Sequence, residues 1–152
     1  MADTIREKLI KALKTRLEGY LSFVTLSGAT VYRGLLRFQE TIEDLPVISI
    51  VPREEVGELQ AYGESDNAME INIYAVVALG TANPSELAEA VFGELLKAVF
   101  SGGDLTGSKA FIYTGGGPES YPDELGQPVM TIKVSVAVGY ATDHGDPYNL
   151  TT

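Results

Sequence analysis

Three side chains near the carboxyl end of the sequence could bind a metal ion or take part in acid–base chemistry. Asp143, His144 and Asp146 fall in the segment VGYATDHGDPYN (residues 138–149), and His144 is the only histidine of the chain. Imidazole and carboxylate groups are common ligands of divalent ions, and three ligands leave coordination positions open. However, all three lie in one terminal loop with Gly145 and Pro147, whereas a precise site is usually built on rigid elements. The pattern therefore favours a loop and tail over a metal centre.

The remaining patterns that could carry catalysis are weaker. The segment TGGGPES (residues 114–120) lacks the lysine and hydroxyl of a Walker loop and the spacing of a dinucleotide fingerprint, so we interpret it as a flexible hairpin connection. A serine triad would have to use His144, and no serine lies in a G-x-S-x-G elbow. The chain has no cysteine, which excludes thiolate chemistry. Carboxylate pairs are inevitable among 21 acidic residues and indicate nothing. We expect no catalytic residue, metal or cofactor.

Length and charge narrow the class of protein. A chain of 152 residues is long enough to bury one core, so we expect a single domain over residues 1–152 with a short tail at 141–152. The net charge of −10 disfavours general binding to nucleic acid phosphates. No apolar run approaches the roughly 18 residues of a membrane helix, so we expect a soluble chain without a leader or contact with a membrane.

Two helices are predicted. The first is capped by Asp3 or Thr4 and runs to about Ser22, with an apolar residue at every fourth position: Ile5, Leu9, Leu13, Leu17 and Leu21. The second begins at Asn83, which is followed by proline and by Glu86 in the spacing of a capping box, and it stops at the SGG of residues 101–103. Both helices have an apolar side that must pack on a core.

Alternation of apolar and polar residues predicts the strands that these helices cover. The predicted strands span residues 30–33, 45–52, 68–80, 110–114 and 128–140. The acidic segment 53–67 is either a hairpin arm or a long loop, and residues 114–127 form a second long acidic loop. The order α-β-β-β-α-β-β predicts an α+β fold with two helices on one face of a four- to five-stranded antiparallel or mixed sheet.

The charge is distributed unevenly along the chain. Residues 1–37 hold seven basic and three acidic side chains, so this part carries +4 and the rest −14. Either the imbalance is a chance property of solvated surfaces, or the positive surface of one subunit meets the negative surface of the next. The polar tail is similarly open to two interpretations: it is disordered, or Asp146 and Tyr148 beside Pro147 dock on a neighbouring subunit.

The order and character of these elements resemble the tail terminator proteins (tail completion, minor tail protein U-like) of long-tailed bacteriophages. The resemblance covers nearly the whole chain and rests on element order and on these segments: the amino-terminal helix, DLPVISIVP, the acidic segment, MEINIYAV, NPSELAEAVFGELLKAVF and VAVGYATDHGDPYN. It implies a homohexameric ring that caps the last ring of the tail tube, stops its growth and offers a docking surface to the head completion or connector protein. It implies neither catalysis nor a cofactor.

The expected function is therefore that of a virion structural protein at the head-proximal end of the tail, assembled in the host cytoplasm. DNA would pass through the acidic ring without specific binding. The residues expected at subunit or partner contacts are Lys8, Lys11, Lys14, Arg16, Glu54, Glu55, Glu58, Asp146 and Tyr148. The alternatives are another neck or tail component, such as a head–tail connector or tube protein, or a small metal-dependent cytoplasmic enzyme that uses Asp143, His144 and Asp146.

Overall fold

The computed structural model describes residues 3–34, 46–59, 64–78, 83–120, 129–143 and 145–150. Along the chain the elements are α1 (Ile5–Glu18), β1 (Thr30–Arg33), β2 (Val47–Leu59), β3 (Glu64–Ala78), α2 (Pro84–Val99), β4 (Ala110–Ser120) and β5 (Val129–Asp143). The class is α+β, and the order α-β-β-β-α-β-β predicted from the sequence is confirmed.

The strands form one mixed sheet of five, in the spatial order β1-β2-β3-β5-β4. Strand β1 is parallel to β2, while the other neighbouring pairs are antiparallel. The two longest strands, β3 and β5, pair along their whole length in the middle of the sheet. As a result, β1 lies at one edge of the sheet and β4 at the other.

Helix α1 is shorter than predicted. Its start is confirmed, since the Thr4 hydroxyl accepts a hydrogen bond from the backbone N–H of Glu7. It ends at Glu18 with Gly19 as its C-cap, not at Ser22. Leu21 consequently lies outside the helix and is 94% exposed, so its predicted place in the apolar stripe is wrong. The four-residue spacing of apolar residues continues by chance from the helix into the following loop.

Helix α2 begins and ends where the sequence predicts. The side-chain oxygen of Asn83 accepts hydrogen bonds from the backbone N–H groups of Ser85, at 3.0 Å, and Glu86, at 3.3 Å. The helix ends at Val99, and Gly102 and Gly103 follow with positive φ angles of 82° and 77°. Local capping chemistry is sufficient to define this element.

The acidic segment is a hairpin arm and not a long loop. Strands β2 and β3 stay paired from Val47 opposite Val76 to Leu59 opposite Ser65, with an irregularity between Pro52 and Glu55. Residues 60–63, at the turn of the arm, lie outside the described residues. The arm therefore continues the central sheet instead of leaving it.

The glycine-rich segment is part of a strand, so the predicted flexible connection at residues 114–120 is wrong. Strand β4 runs through it to Ser120, and residues 121–128 lie outside the described part of the chain. A Cβ atom at Gly116 would collide with the backbone oxygen of Lys133 and lie 2.9 Å from the ring of Phe92. Glycine is required at this position because the backbone of β5 and the Phe92 ring of α2 both lie too close for a side chain.

One apolar cluster joins both helices to the sheet. Helix α1 contacts β1 and β2, α2 contacts β4 and β5, and the two helices contact each other. The cluster includes these fully or almost fully buried side chains: Leu9, Leu13, Leu17, Ile48, Ile50, Met69, Ile71, Ile73, Val91, Leu95, Met130, Ile132, Val134, Val136 and Val138. Each large aliphatic side chain contributes roughly 1.5–3 kcal/mol on burial, so this cluster is the main favourable term in folding.

We predict that Gly116→Ala lowers the free energy of unfolding by about 1–3 kcal/mol, the typical cost of overpacking, because either β4 or Phe92 must move. Thermal unfolding measures the effect. Gly93→Ala is the matched control, since Gly93 lies on the exposed side of α2 with no atom within 4 Å of the added methyl. That control should leave the protein equally or more stable. Equal melting temperatures for Gly116→Ala and the wild type would contradict the close approach.

Candidate functional site

The loop after β5 uses its own polar groups to form a turn. The backbone oxygen of Asp143 accepts from the N–H of Asp146 at 2.9 Å. The Asp146 carboxylate accepts from the side-chain amide of Asn149 at 2.8 Å and from the backbone N–H of Tyr148 at 3.0 Å. The Asn149 amide, followed by the Tyr148 N–H, holds the pKa of Asp146 below its ordinary value. Asp146 is therefore a turn-forming residue.

The metal interpretation gains no support from the geometry. Within the described ranges, no group of three or more histidine, cysteine, aspartate or glutamate side chains is arranged to hold a metal ion. His144, which a metal site in this loop would also require, lies outside those ranges.

The tail packs against the chain it belongs to. The backbone N–H of Ile5, at the start of α1, donates to the oxygen of Pro147 at 2.8 Å. Leu150 forms an antiparallel bridge with Thr142, which still belongs to β5. The predicted tail at 141–152 therefore begins later, and residues 145–150 are neither detached nor dependent on a neighbour for their contacts. Tyr148 is 47% exposed, so its predicted contact with a second subunit stays a prediction.

Two of the α1 lysines that we expect at contacts form ion pairs within the chain. Lys11 Nζ lies 2.8 Å from Asp3, and Lys14 Nζ lies 3.5 Å from Glu18. Lys8 lies on the exposed side of the same helix. Solvent screens such exposed ion pairs, so a carboxylate of a partner could replace them at little cost.

Arg16 has a role that its sequence position did not reveal. Its guanidinium donates to the backbone oxygens of Val99 at 2.9 Å and Gly103 at 2.7 Å, and it lies 5.6 Å from the centroid of the Phe111 ring. A cation at the carboxyl end of a helix is favoured by the helix dipole. Arg16 therefore ties α1 to the end of α2, and its predicted contact with a partner would compete with these bonds.

The acidic residues of the arm lie on β2, where the backbone register places them. Glu58 is directly opposite Asp66 of β3, and Glu55 is opposite Met69. Glu54 lies within the irregularity that follows Pro52.

Glu94 holds the loop that follows α1, a structural role that sequence patterns missed. Its carboxylate accepts from three successive backbone N–H groups, those of Val24 at 2.7 Å, Thr25 at 2.8 Å and Leu26 at 3.3 Å. Partial burial opposes ionisation of Glu94. The hydrogen bonds from the Thr25 hydroxyl and the three N–H groups outweigh this effect of burial, so the pKa of Glu94 is held below its ordinary value. In the sequence Glu94 is one of several acidic residues on α2, and its partners are about 70 residues away.

The loop that Glu94 holds carries two strongly exposed aliphatic side chains. Leu21 is 94% exposed and Val24 is 81% exposed. No residue of the segment from Gly19 to Ala29 is charged. Isolated exposed apolar residues are common, but two on a loop fixed by a carboxylate form a small preorganised contact.

A groove of about 540 Å³ is formed by residues of β3, β4 and β5. Its lining includes Glu70, Lys133 and Ser135. The Ser135 hydroxyl donates to the side-chain oxygen of Asn72 at 2.7 Å, and an amide cannot act as the general base that a serine nucleophile needs. The described groups of this groove therefore do not form a nucleophilic centre.

No protein-family model matches this sequence, and comparison with curated proteins finds no match. Among the described residues, no helix is both long and apolar enough to cross a membrane.

We predict that Glu94→Gln lowers the melting temperature at neutral pH by about 2–4 °C, the shift expected for about 1 kcal/mol in a chain of this size. A hydrogen bond to a charged group is worth about 1.5–3 kcal/mol, and exposure of the carboxylate to solvent reduces that value. Glu89→Gln makes the same chemical change on the exposed side of α2, so it is the matched control and should change the melting temperature little.

The pH dependence of this difference has a definite sign. Because folding lowers the pKa of Glu94, its stabilisation is fully present above the ordinary glutamate pKa and is lost as pH falls through the folded-state value. The gap between wild type and Glu94→Gln should therefore narrow on acidification below about pH 4. A gap that is absent at neutral pH, or that widens in acid, would show that the carboxylate does not hold the loop.

Proposed function

We propose that this protein is a virion structural protein, a tail terminator that forms a ring on the end of a phage tail tube. In that position it stops polymerisation of the tube and offers the head or its connector a surface to dock on. The proposal rests on the resemblance in element order and segments described above. It assigns the protein no catalytic activity and no cofactor.

The observation that carries the proposal is that positive and negative charge are distributed unevenly along the chain. The first 37 residues carry +4, while the remainder carries −14, including the acidic hairpin arm. A ring subunit must present different surfaces to its two neighbours and to the structures above and below it, and opposite charges select which surfaces meet. The exposed Leu21 and Val24 on a fixed loop supply apolar area for one such contact.

Within each subunit, we propose that both helices cover the same face of the sheet. The single apolar cluster shared by α1, α2 and alternating strand residues supports this arrangement. The opposite face then remains for the lumen or for a partner. A net charge of −10 per subunit repels the phosphate backbone, which allows DNA to pass a ring without adhering to it.

Electron micrographs of particles assembled without this protein test the proposal. We expect tail tubes of irregular, excessive length that lack heads, because nothing ends their growth. Tubes of normal length beside unattached filled heads would indicate a connector instead, and the absence of tubes would indicate a tube protein. A matched preparation complemented with the wild-type chain should restore normal particles.

The alternative of a metal-dependent enzyme is contradicted if a chelator and the His144→Ala substitution both leave the thermal stability unchanged. A bound metal would stabilise the folded chain in proportion to its occupancy, so a large drop with either treatment would contradict the proposed function.

A further inference from the structure

We propose that the groove formed by β3, β4 and β5 docks a basic segment of a different protein. A lysine or arginine of that segment pairs with Glu70, and its apolar side chains cover Ala68, Ile112 and Ala137. The inference deepens the proposed function and rests on it, because it names a surface by which a terminator would hold a neighbouring component of the particle.

The groove faces away from the apolar cluster that joins the helices to the sheet. Glu70 of β3 and Ala137 of β5 lie opposite each other, and both line the groove. Their neighbours along the strands, Ile71 and Val136, belong to the cluster. Successive side chains of a strand point to opposite faces of a sheet. The groove therefore lies on the face that the cluster does not occupy.

The two ends of this face differ in their exposure to solvent. Ile112 of β4, which lies opposite Ala137 beside the groove, is 55% exposed. Val76 of β3 lies at the other end, between Val47 of β2 and Thr131 of β5. These three side chains are only 4%, 4% and 6% exposed, in the order Val76, Val47, Thr131. The far end of the face is therefore closed to a partner, whereas the end with the groove is open.

The floor of the groove has room for the side chains of a polypeptide. A Cβ atom added at Gly115 would meet no atom within 4 Å, and Ala68 and Ala137 add only methyl groups to the lining. The Ser135 hydroxyl in the floor already donates to Asn72 at 2.7 Å. A site for a small ligand usually offers several converging polar groups, whereas this floor offers mainly apolar area.

The groove also carries an unpaired negative charge. Glu70 is exposed and forms no hydrogen bond or ion pair with any described residue. Lys133, the other charged residue of the described lining, already interacts within the chain and lies opposite Tyr74. Tyr74 follows Glu70 by four residues on β3, so the backbone positions of Glu70 and Lys133 are about 13 Å apart along the strands. This exceeds the screening length at physiological salt, so Lys133 repels a cation at Glu70 only weakly.

A different protein fits this surface better than a second copy does. The chain carries a net charge of −10, so its field attracts a basic partner and repels another copy. Several basic side chains that a second copy could offer are already paired within the chain: Lys11 with Asp3, Lys14 with Glu18, and Arg33 with Glu7. Charge complementarity therefore selects a basic segment from another component of the particle.

Backbone amide chemical shifts of the isotope-labelled protein test the site, in a titration with a capped peptide of alternating valine and lysine. We expect shift changes confined to residues around the groove, at 68–72, 112–116 and 135–137. A matched peptide of alternating valine and glutamate should cause none. Changes spread over every acidic surface, or none with the lysine peptide, would overturn the proposal. Changes in the groove that appear with protein concentration alone would show that a second copy occupies it, which also overturns the proposal.

Charge reversal separates the site from the net charge of the protein. Glu70→Lys should weaken binding of the valine–lysine peptide about fivefold or more, because an exposed ion pair is replaced by repulsion. Glu89→Lys is the matched control, since it makes the same change of charge on the exposed side of α2 and should change the affinity little. Equal losses in the two variants would refute the groove. The amide spectrum away from the substitution checks that each variant folds.

The proposed docking and the terminator role can fail separately. Micrographs of particles lacking the protein depend on no residue of the groove. Overlong tubes together with failed peptide binding would refute the groove and leave the terminator role intact. Tubes of normal length together with specific binding at Glu70 would refute the terminator role instead.

Discussion

The apolar layer between the two helices and the sheet is the interaction on which the rest of the structure depends. Alternating residues of β3 and β5 are buried in one apolar cluster with the leucines of α1 and with Val91 of α2. Because one side of each helix is buried in this layer, the charged residues of both helices lie on the other sides.

Elements governed by local chemistry were predictable from the sequence. Asn83 with the following proline defines the start of α2, and the period-two pattern around Val134 defines β5. Errors occurred where a distant residue decides the outcome. Gly116 lies in a segment with the composition of a loop, yet it belongs to a strand because it pairs with Val134 of β5. Leu21 continues a helical spacing, yet the helix ends at Glu18 and the next loop is held by Glu94.

The residues expected at contact surfaces were also only partly identifiable from the sequence. The lysines of α1 were identifiable from their spacing, and the structure places them on an exposed side of that helix. Arg16 was indistinguishable from them in the sequence, because its partners Val99 and Gly103 are more than 80 residues away.

The central claim is that this chain is an assembling structural subunit and not a solitary catalyst. Sedimentation of the wild-type protein over a wide range of concentration and salt, alone and with tail tubes, tests it most directly. We expect a discrete oligomer larger than a dimer, in solution or at tube ends, that weakens as salt screens charged contacts between subunits. A monomer under every condition, with or without tubes, would contradict it.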